Sequence, residues 1–186
     1  ENELVFLTNK ANEFVKTCGK LIFIKGRYGS GKTYLINELK NYMVTLSTHL
    51  VSCTIKKIDN IYPFSTIGNF VSEYLNTLKN TNDYKKNLNK IKKRFGDVLT
   101  ILSDYVTEFG KDGKQNKIKN IFEKEELLDK LSDMLIFMSK LGKPLVVFFD
   151  DLQWIDISSL EVIERIYGKI TDSSLLIICS LVEEKY

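Results

Sequence analysis

Two groups of residues in this 186-residue chain have types and spacing suited to chemistry. The first is Gly26-Arg27-Tyr28-Gly29-Ser30-Gly31-Lys32-Thr33-Tyr34, in which Gly26, Gly31, Lys32 and Thr33 fit G-x-x-x-x-G-K-[ST], the P-loop pattern. Glycines at 26, 29 and 31 allow backbone conformations closed to other residues, so that N–H groups can turn inward around phosphate oxygens. A helix starting at Lys32 would add its positive end at the same point. Lys32 would then reach the β- and γ-phosphates of a nucleotide, and the Thr33 hydroxyl would hold Mg²⁺. The second group is Asp150-Asp151, directly after an apolar run. Two adjacent acids beside a core strand are costly without a cation, and a Mg²⁺ next to the phosphate loop supplies one. Asp150 is the candidate metal acid, acting mainly through a metal-bound water. Asp151 is the candidate to polarise an attacking water. The alternative for Asp151 is a cap on the following turn or helix.

The elements that must position these groups can be read from periodicity. Residues 21–24 form a short β-branched run, expected as a buried strand leading into the glycine loop. Leu35, Leu39, Tyr42, Met43 and Leu46 recur at helical spacing after it. Ahead of it, Leu4, Leu7, Ala11, Phe14 and Val15 form another helical stripe. Residues 49–55 read as a second strand, with the lone His49 as a surface residue without a role. Pro63 is expected to open a helix carrying Phe64, Ile67, Val71, Tyr74 and Leu78. Residues 81–94 are polar and basic. They read as a solvated helix face or linker rather than a nucleic-acid patch, because the stretch has a single aromatic residue. Phe95, Leu99, Leu102, Val106 and Phe109 suggest a further helix, and residues 110–119 a polar loop. Leu127, Leu128, Leu131, Met134, Leu135, Met138 and Leu141 suggest one more helix, ended by Gly142.

Residues 145–149 are continuously apolar, as in a central parallel strand covered on both faces. Open α/β sheets bind ligands at the carboxyl edge of such strands, which is where Asp150 and Asp151 fall. Asp156 or Ser158 is expected to cap a helix bearing Leu160, Ile163, Ile166, Tyr167 and Ile170, and residues 175–181 read as a last buried strand. Trp154 is expected to pack between segments. The whole chain, 1–186, reads as one α/β core whose second crossover is enlarged by a helical insertion over roughly residues 80–125.

Composition narrows the partners. The formal net charge is +3, too small to argue for nucleic acid or a membrane surface. Cys18, Cys53 and Cys179 have no metal spacing, and Cys53 and Cys179 lie in apolar runs as small core residues. No run is long enough to span a membrane, and a reducing, cytoplasmic setting is expected.

Asp150-Asp151-Leu152-Gln153-Trp154-Ile155-Asp156, followed by Ser158-Ser159-Leu160, resembles the D-D-L-Q-W-A-D-x-x-S-L stretch of a group of AAA-like regulatory ATPases. These are the signal-transduction ATPases with numerous domains, whose relatives sit beside nucleotide cyclase, protein kinase, histidine kinase and helix-turn-helix output domains. Glu1-Asn2-Glu3-Leu4 resembles the R-E-x-E-L that opens the family module, the phosphate loop matches, and Pro63-Phe64 before a helix also resembles the family. The resemblance implies a P-loop NTPase fold, an AAA-like three-layer sandwich with a parallel sheet in the order 2-3-4-1. The first strand would stand between the fourth and a missing fifth. It also implies ATP or ADP with Mg²⁺, and ATP over GTP.

The chain departs from the family after the last strand, where Leu181-Val182 replace the usual Tyr-Arg. Ser180 or Cys179 would take the sensor position. The expectation is a fragment of a larger signalling or transcriptional regulator that works as a nucleotide-controlled switch. Its partners would be nucleotide and other domains of the same full-length chain, with self-association left open and no direct nucleic-acid or membrane binding. Three alternatives remain: a degenerate nucleotide-binding scaffold, a small-molecule P-loop kinase, and a DNA-loading AAA protein. The kinase needs several arginines where this chain has Arg27, Arg94 and Arg165. The DNA loader needs a basic module.

Overall fold

The computed structural model describes residues 2–79, 81–109 and 123–183. Its four strands are β1 (Lys20–Gly26), β2 (His49–Thr54), β3 (Leu145–Asp150) and β4 (Leu175–Val182). All pairings are parallel and the order is β1-β4-β3-β2, the expected order read from the other edge. β3 and β4 are central, which is why their sequences are continuously apolar: a strand between two others with both faces covered has no solvent side.

Alternate residues along each strand point to opposite faces, so the sheet carries two separate cores. Val146, Phe148, Leu176 and Ile178 pack with Leu7, Ala11 and Phe14 of α1 (Asn2–Lys16) and with Ile36, Leu39 and Met43 of α2 (Lys32–Thr45). Val51, Val147, Phe149 and Ile177 pack on the other face. That face is covered by α3 (Ser65–Leu78), α5 (Lys124–Ser139) and α6 (Ile157–Lys169), with α4 (Tyr84–Leu99) lying against α5 and α3. The layers are helix, sheet, helix. Cys53 and Cys179 are buried in the second core, and burial pushes both thiols up to about 12, as small apolar residues rather than nucleophiles.

Local expectations change at Pro63, Phe95 and His49, while the basic stretch is the solvated helix face expected of it. Pro63 does not open α3. The helix begins at Ser65, after Phe64 in a left-handed conformation at φ 61°, because the Asp156 carboxylate takes the Phe64 N–H and terminates the preceding chain there. The basic stretch is the first part of α4, its lysines on the solvent face and Asn87 and Ile91 buried. Phe95 lies near the end of that helix rather than at the start of a new one. Its φ of −126° breaks the helix, and its ring packs against Phe137 of α5 with centroids 5.5 Å apart. Tertiary packing overrides propensity here, next to Gly96, a weak helix former. Beyond it come short 3₁₀ turns, Thr100–Leu102 and Thr107–Phe109. The polar loop expected over residues 110–119 lies outside the described residues. His49 is half-buried rather than at the surface, its ring edge-on to Tyr74.

Gly68 of α3 has a packing role. A Cβ there would lie 2.4–2.5 Å from Cγ, Cβ and Cδ2 of Tyr105, close to that residue's backbone, where the ring cannot simply swing away. Ala would gain about 1 kcal/mol of helix propensity. Overpacking of this kind costs typically about 1–3 kcal/mol and displaces α3. Gly68→Ala should therefore lower the melting temperature, and a variant at least as stable as the parent in thermal unfolding would show that Tyr105 yields freely.

Candidate nucleotide site

Register places the two chemical groups on one edge. Gly26 pairs with Val182, Ile24 with Ser180, Phe149 with Cys179 and Thr54 with Asp150. The carboxyl ends of β1, β4, β3 and β2 therefore lie side by side. The glycine loop follows β1 and the acid pair follows β3, with β4 between them, roughly 10 Å at a spacing of about 4.8 Å per strand.

The loop has the backbone its glycines were expected to permit. Gly29 and Gly31 have φ 73° and 85°, and Gly31 caps α2 in the left-handed conformation. A Cβ at either would meet nothing within 4 Å, so both face open space. At Gly26 a Cβ would come 2.6 Å from Ser30 Oγ, so the loop closes tightly over its own start. Among the described residues, the N–H groups of Gly29, Gly31, Lys32 and Thr33 have no backbone acceptor. These unsatisfied donors at the first turn of α2, beside open space, are what a phosphate group requires. Lys32 Nζ donates to the carbonyls of Gly26 at 3.0 Å and Arg27 at 2.9 Å, folding across the loop. Tyr28, Thr33 and Tyr34 are exposed around it.

Ser180 ties the acid pair to β4. Its buried hydroxyl donates to Asp150 Oδ1 in a short hydrogen bond and accepts from the Asp151 N–H at 3.0 Å. Of the two residues expected near a sensor position, it is Ser180 that meets the acids; Cys179 turns into the opposite core. Asp151 has φ 63°, and its side chain does not cap the turn that follows, Leu152–Trp154. Its Oδ1 accepts instead from Gln153 Nε2 at 2.9 Å, while Gln153 Oε1 accepts from the Val182 N–H at 3.3 Å.

Periodicity did not reveal Lys40. From α2 its ammonium lies 5.3 Å from the Phe148 ring centroid, on the face that carries Asp150 two residues further along β3. Burial holds its pKa below the usual lysine value, against the opposing charge of Asp150. Arg94 stacks over Phe137 at 4.8 Å, and Arg165 is paired with Glu125 and Asp129 of α5. Among the described residues no group of three or more His, Cys, Asp or Glu could cage a metal. Thr33 and Asp150, with phosphate oxygens and water, would suit Mg²⁺, which keeps much of its water and takes few protein ligands. The metal would supply charge neutralisation at the phosphates.

Strand, glycine loop, helix N-terminus and an acid pair on one carboxyl edge define a P-loop nucleotide-binding class of protein. The sequence profile of the AAA ATPase domain family matches residues 1–178, and the chain belongs to that family. It is thus a nucleotide-binding ATPase module. Among curated proteins none matches the chain. Among the described residues no helix is long and apolar enough to cross a membrane.

Removing the one ammonium in the loop should weaken ATP binding. Lys32→Ala is expected to raise Kd by about tenfold or more, roughly 1.4 kcal/mol, in titration calorimetry with Mg·ATP. Equal affinity would displace the nucleotide from this loop.

Proposed function

We propose that this chain is the slow ATPase module of a larger multidomain signalling or transcriptional regulator, one of the signal-transduction ATPases with numerous domains, and that its nucleotide state acts as a switch. Lys32 and the loop N–H groups hold the phosphates, Thr33 and Asp150 hold Mg²⁺, and Asp151 orients the attacking water. One observation carries this reading: the placement of the arginines. Arg94 and Arg165 are engaged on the far helical layer, and Arg27 sits within the loop itself. Phosphoryl transfer depends on positive charge placed around the γ-phosphate, and an arginine finger alone is worth about 10³–10⁵ in rate. A site that binds through Lys32 and Mg²⁺ but brings no such charge keeps its nucleotide long enough for each state to be read elsewhere. The same placement disfavours a small-molecule kinase.

The open edge supports a role alongside further structure. Phe23 of β1 is exposed between two apolar grooves, one formed with Phe6 and Leu7 of α1, the other with Leu160 and Tyr167 of α6. A further strand or a neighbouring domain would cover them. Within the β2–β3 crossover, roughly residues 80–125 are read as a helical insertion in the ATPase core. A scaffold that binds without turnover is the competing reading, separated by hydrolysis alone.

Phosphate release by the purified protein with Mg·ATP should run well below about one turnover per minute, against an enzyme median near 10 s⁻¹. Several turnovers per second, abolished by Lys32→Ala, would show a catalytically complete site and overturn the switch reading. Asp151→Asn should leave nucleotide affinity nearly unchanged while slowing hydrolysis, and Asp150→Asn should weaken the Mg²⁺ dependence of binding. Hydrolysis by Asp151→Asn at the parent rate would remove Asp151 from the chemistry.

A further inference from the structure

Asp156 is 1% exposed, and four donors converge on its carboxylate. The Ser159 N–H donates to Oδ1 at 2.8 Å, as an ordinary cap of α6 does. The other three come from the start of α3: the Phe64 N–H to Oδ1 at 2.8 Å, the Thr66 N–H to Oδ2 at 3.1 Å and the Ser65 hydroxyl to Oδ2 at 3.2 Å. Ser159 adds a reciprocal bond, its hydroxyl accepting from the Ile67 N–H at 3.1 Å. One carboxylate therefore caps two helices whose sequences are far apart. Only an ionised acid offers acceptors on both oxygens and no donor. Serine or threonine could cap α6 alone, and asparagine would turn an amide N–H₂ against the donors of α3.

The residues between Asp151 and Asp156 are held at both ends. At the near end Asp151 keeps its left-handed φ of 63° through Ser180, and the Trp154 N–H donates back to the Asp151 carbonyl at 3.0 Å. In the middle, Lys57 from the chain leading to α3 lies 5.3 Å from the Trp154 ring centroid. At the far end Asp156 is fixed by α3 and α6. We propose that Asp156 is a positioning residue of the ATPase site, holding the loop of residues 151–156 against the start of α3 so that Asp151 presents its carboxylate at the sheet edge. The double cap goes beyond what α6 needs, and it joins the acid pair to the first helix of the long β2–β3 crossover. The inference rests on the reading of Asp151 as the water-orienting acid. Displacement of a reacting group by about 1 Å costs up to roughly 100-fold in rate, so loosening this loop acts on hydrolysis far more than on binding.

Trp154 is the only tryptophan of the chain and lies inside the loop, so its emission reports the loop directly. In Asp156→Asn, the single-turnover hydrolysis rate should fall roughly 10- to 100-fold with the ADP dissociation constant within about threefold of the parent, and Trp154 emission should shift to the red. Added to Asp151→Asn, the same substitution should change the rate by less than about twofold, because the two act through one group. Should Asp156→Asn fail to fold, Ser65→Ala removes one donor from the α3 side and should slow hydrolysis by about two- to fivefold with the same direction of emission change. Parent-like hydrolysis and emission in Asp156→Asn, with only the melting temperature lowered, would make Asp156 a helix cap and nothing more. Independent, multiplicative rate losses with Asp151→Asn would equally overturn the proposal. A parent that binds but never hydrolyses ATP would sink the ATPase reading instead. The emission arm would still decide for Asp156, since unchanged Trp154 emission would show that it does not hold the loop.

Discussion

Parallel pairing puts the carboxyl ends of all four strands on one edge, and the contents of the site follow from that constraint. Gly26 ends β1 level with Val182 of β4, Thr54 ends β2 level with Asp150 of β3, and Phe149 of β3 is level with Cys179 of β4. Connections must return across the sheet faces, so β1, β2 and β3 are each followed by a loop at this edge and then by a helix that turns away. The phosphate loop and the acid pair share one edge because they occupy that same structural position on strands separated by β4. The price of the arrangement is polar backbone and charge crowded at the rim of an apolar sheet, which is where unsatisfied groups concentrate.

The structure eases that crowding by giving several charged groups near the edge specific neighbours. Lys32 lies on two loop carbonyls, Asp150 on the Ser180 hydroxyl, and Lys40 over Phe148 within the field of Asp150. Asp156 is the most deeply buried of these and has the most partners. An isolated buried carboxylate would cost several kcal/mol. Four donors and the positive ends of α3 and α6 remove that cost, since hydrogen bonds to a charged group contribute about 1.5–3 kcal/mol each. Lys32 is the exception in kind, because carbonyl partners are replaceable by phosphate oxygens of full charge. A lysine parked on neutral acceptors is free to transfer to a better one.

Sequence made local features legible and left long-range ones hidden. The strand, glycine loop and start of α2 are encoded within residues 20–45, and periodicity alone finds them. The strand order came from the resemblance to the AAA-like module, and the apolar runs of β3 and β4 agree with central places in it. The acid pair was legible because two carboxylates at the end of a core strand have few uses without a cation. Asp156 was visible as a cap of α6, since Asp156 and Ser159 lie within one turn of each other. Its larger role at α3 was not, because Phe64, Ser65 and Thr66 sit far away in the chain and show no periodicity linked to it. Phe95 failed for a related reason: its apolar spacing continues across a helix break, beside Gly96, where its ring packs on Phe137 from a distant element. Lys40 belongs to no motif or apolar stripe, so nothing in the sequence singled it out.

Phe64 and Asp151 are the two non-glycine residues with left-handed φ that flank this network. A left-handed residue costs roughly 1–2 kcal/mol, and neither position carries the glycine that would announce it. In each case the N–H of that residue is taken by a side-chain oxygen from a distant element, Ser180 for Asp151 and Asp156 for Phe64. The hydrogen bond to the charged carboxylate is comparable to, or larger than, the strain it holds. These conformations are therefore set by tertiary partners and persist only while those partners stay in place. A loop held in that way keeps its shape without being locally stable, so its geometry can change when a single contact at either end is lost. That makes the acid pair and the start of α3 parts of one mechanical unit, although nothing in the local sequence of either end says so.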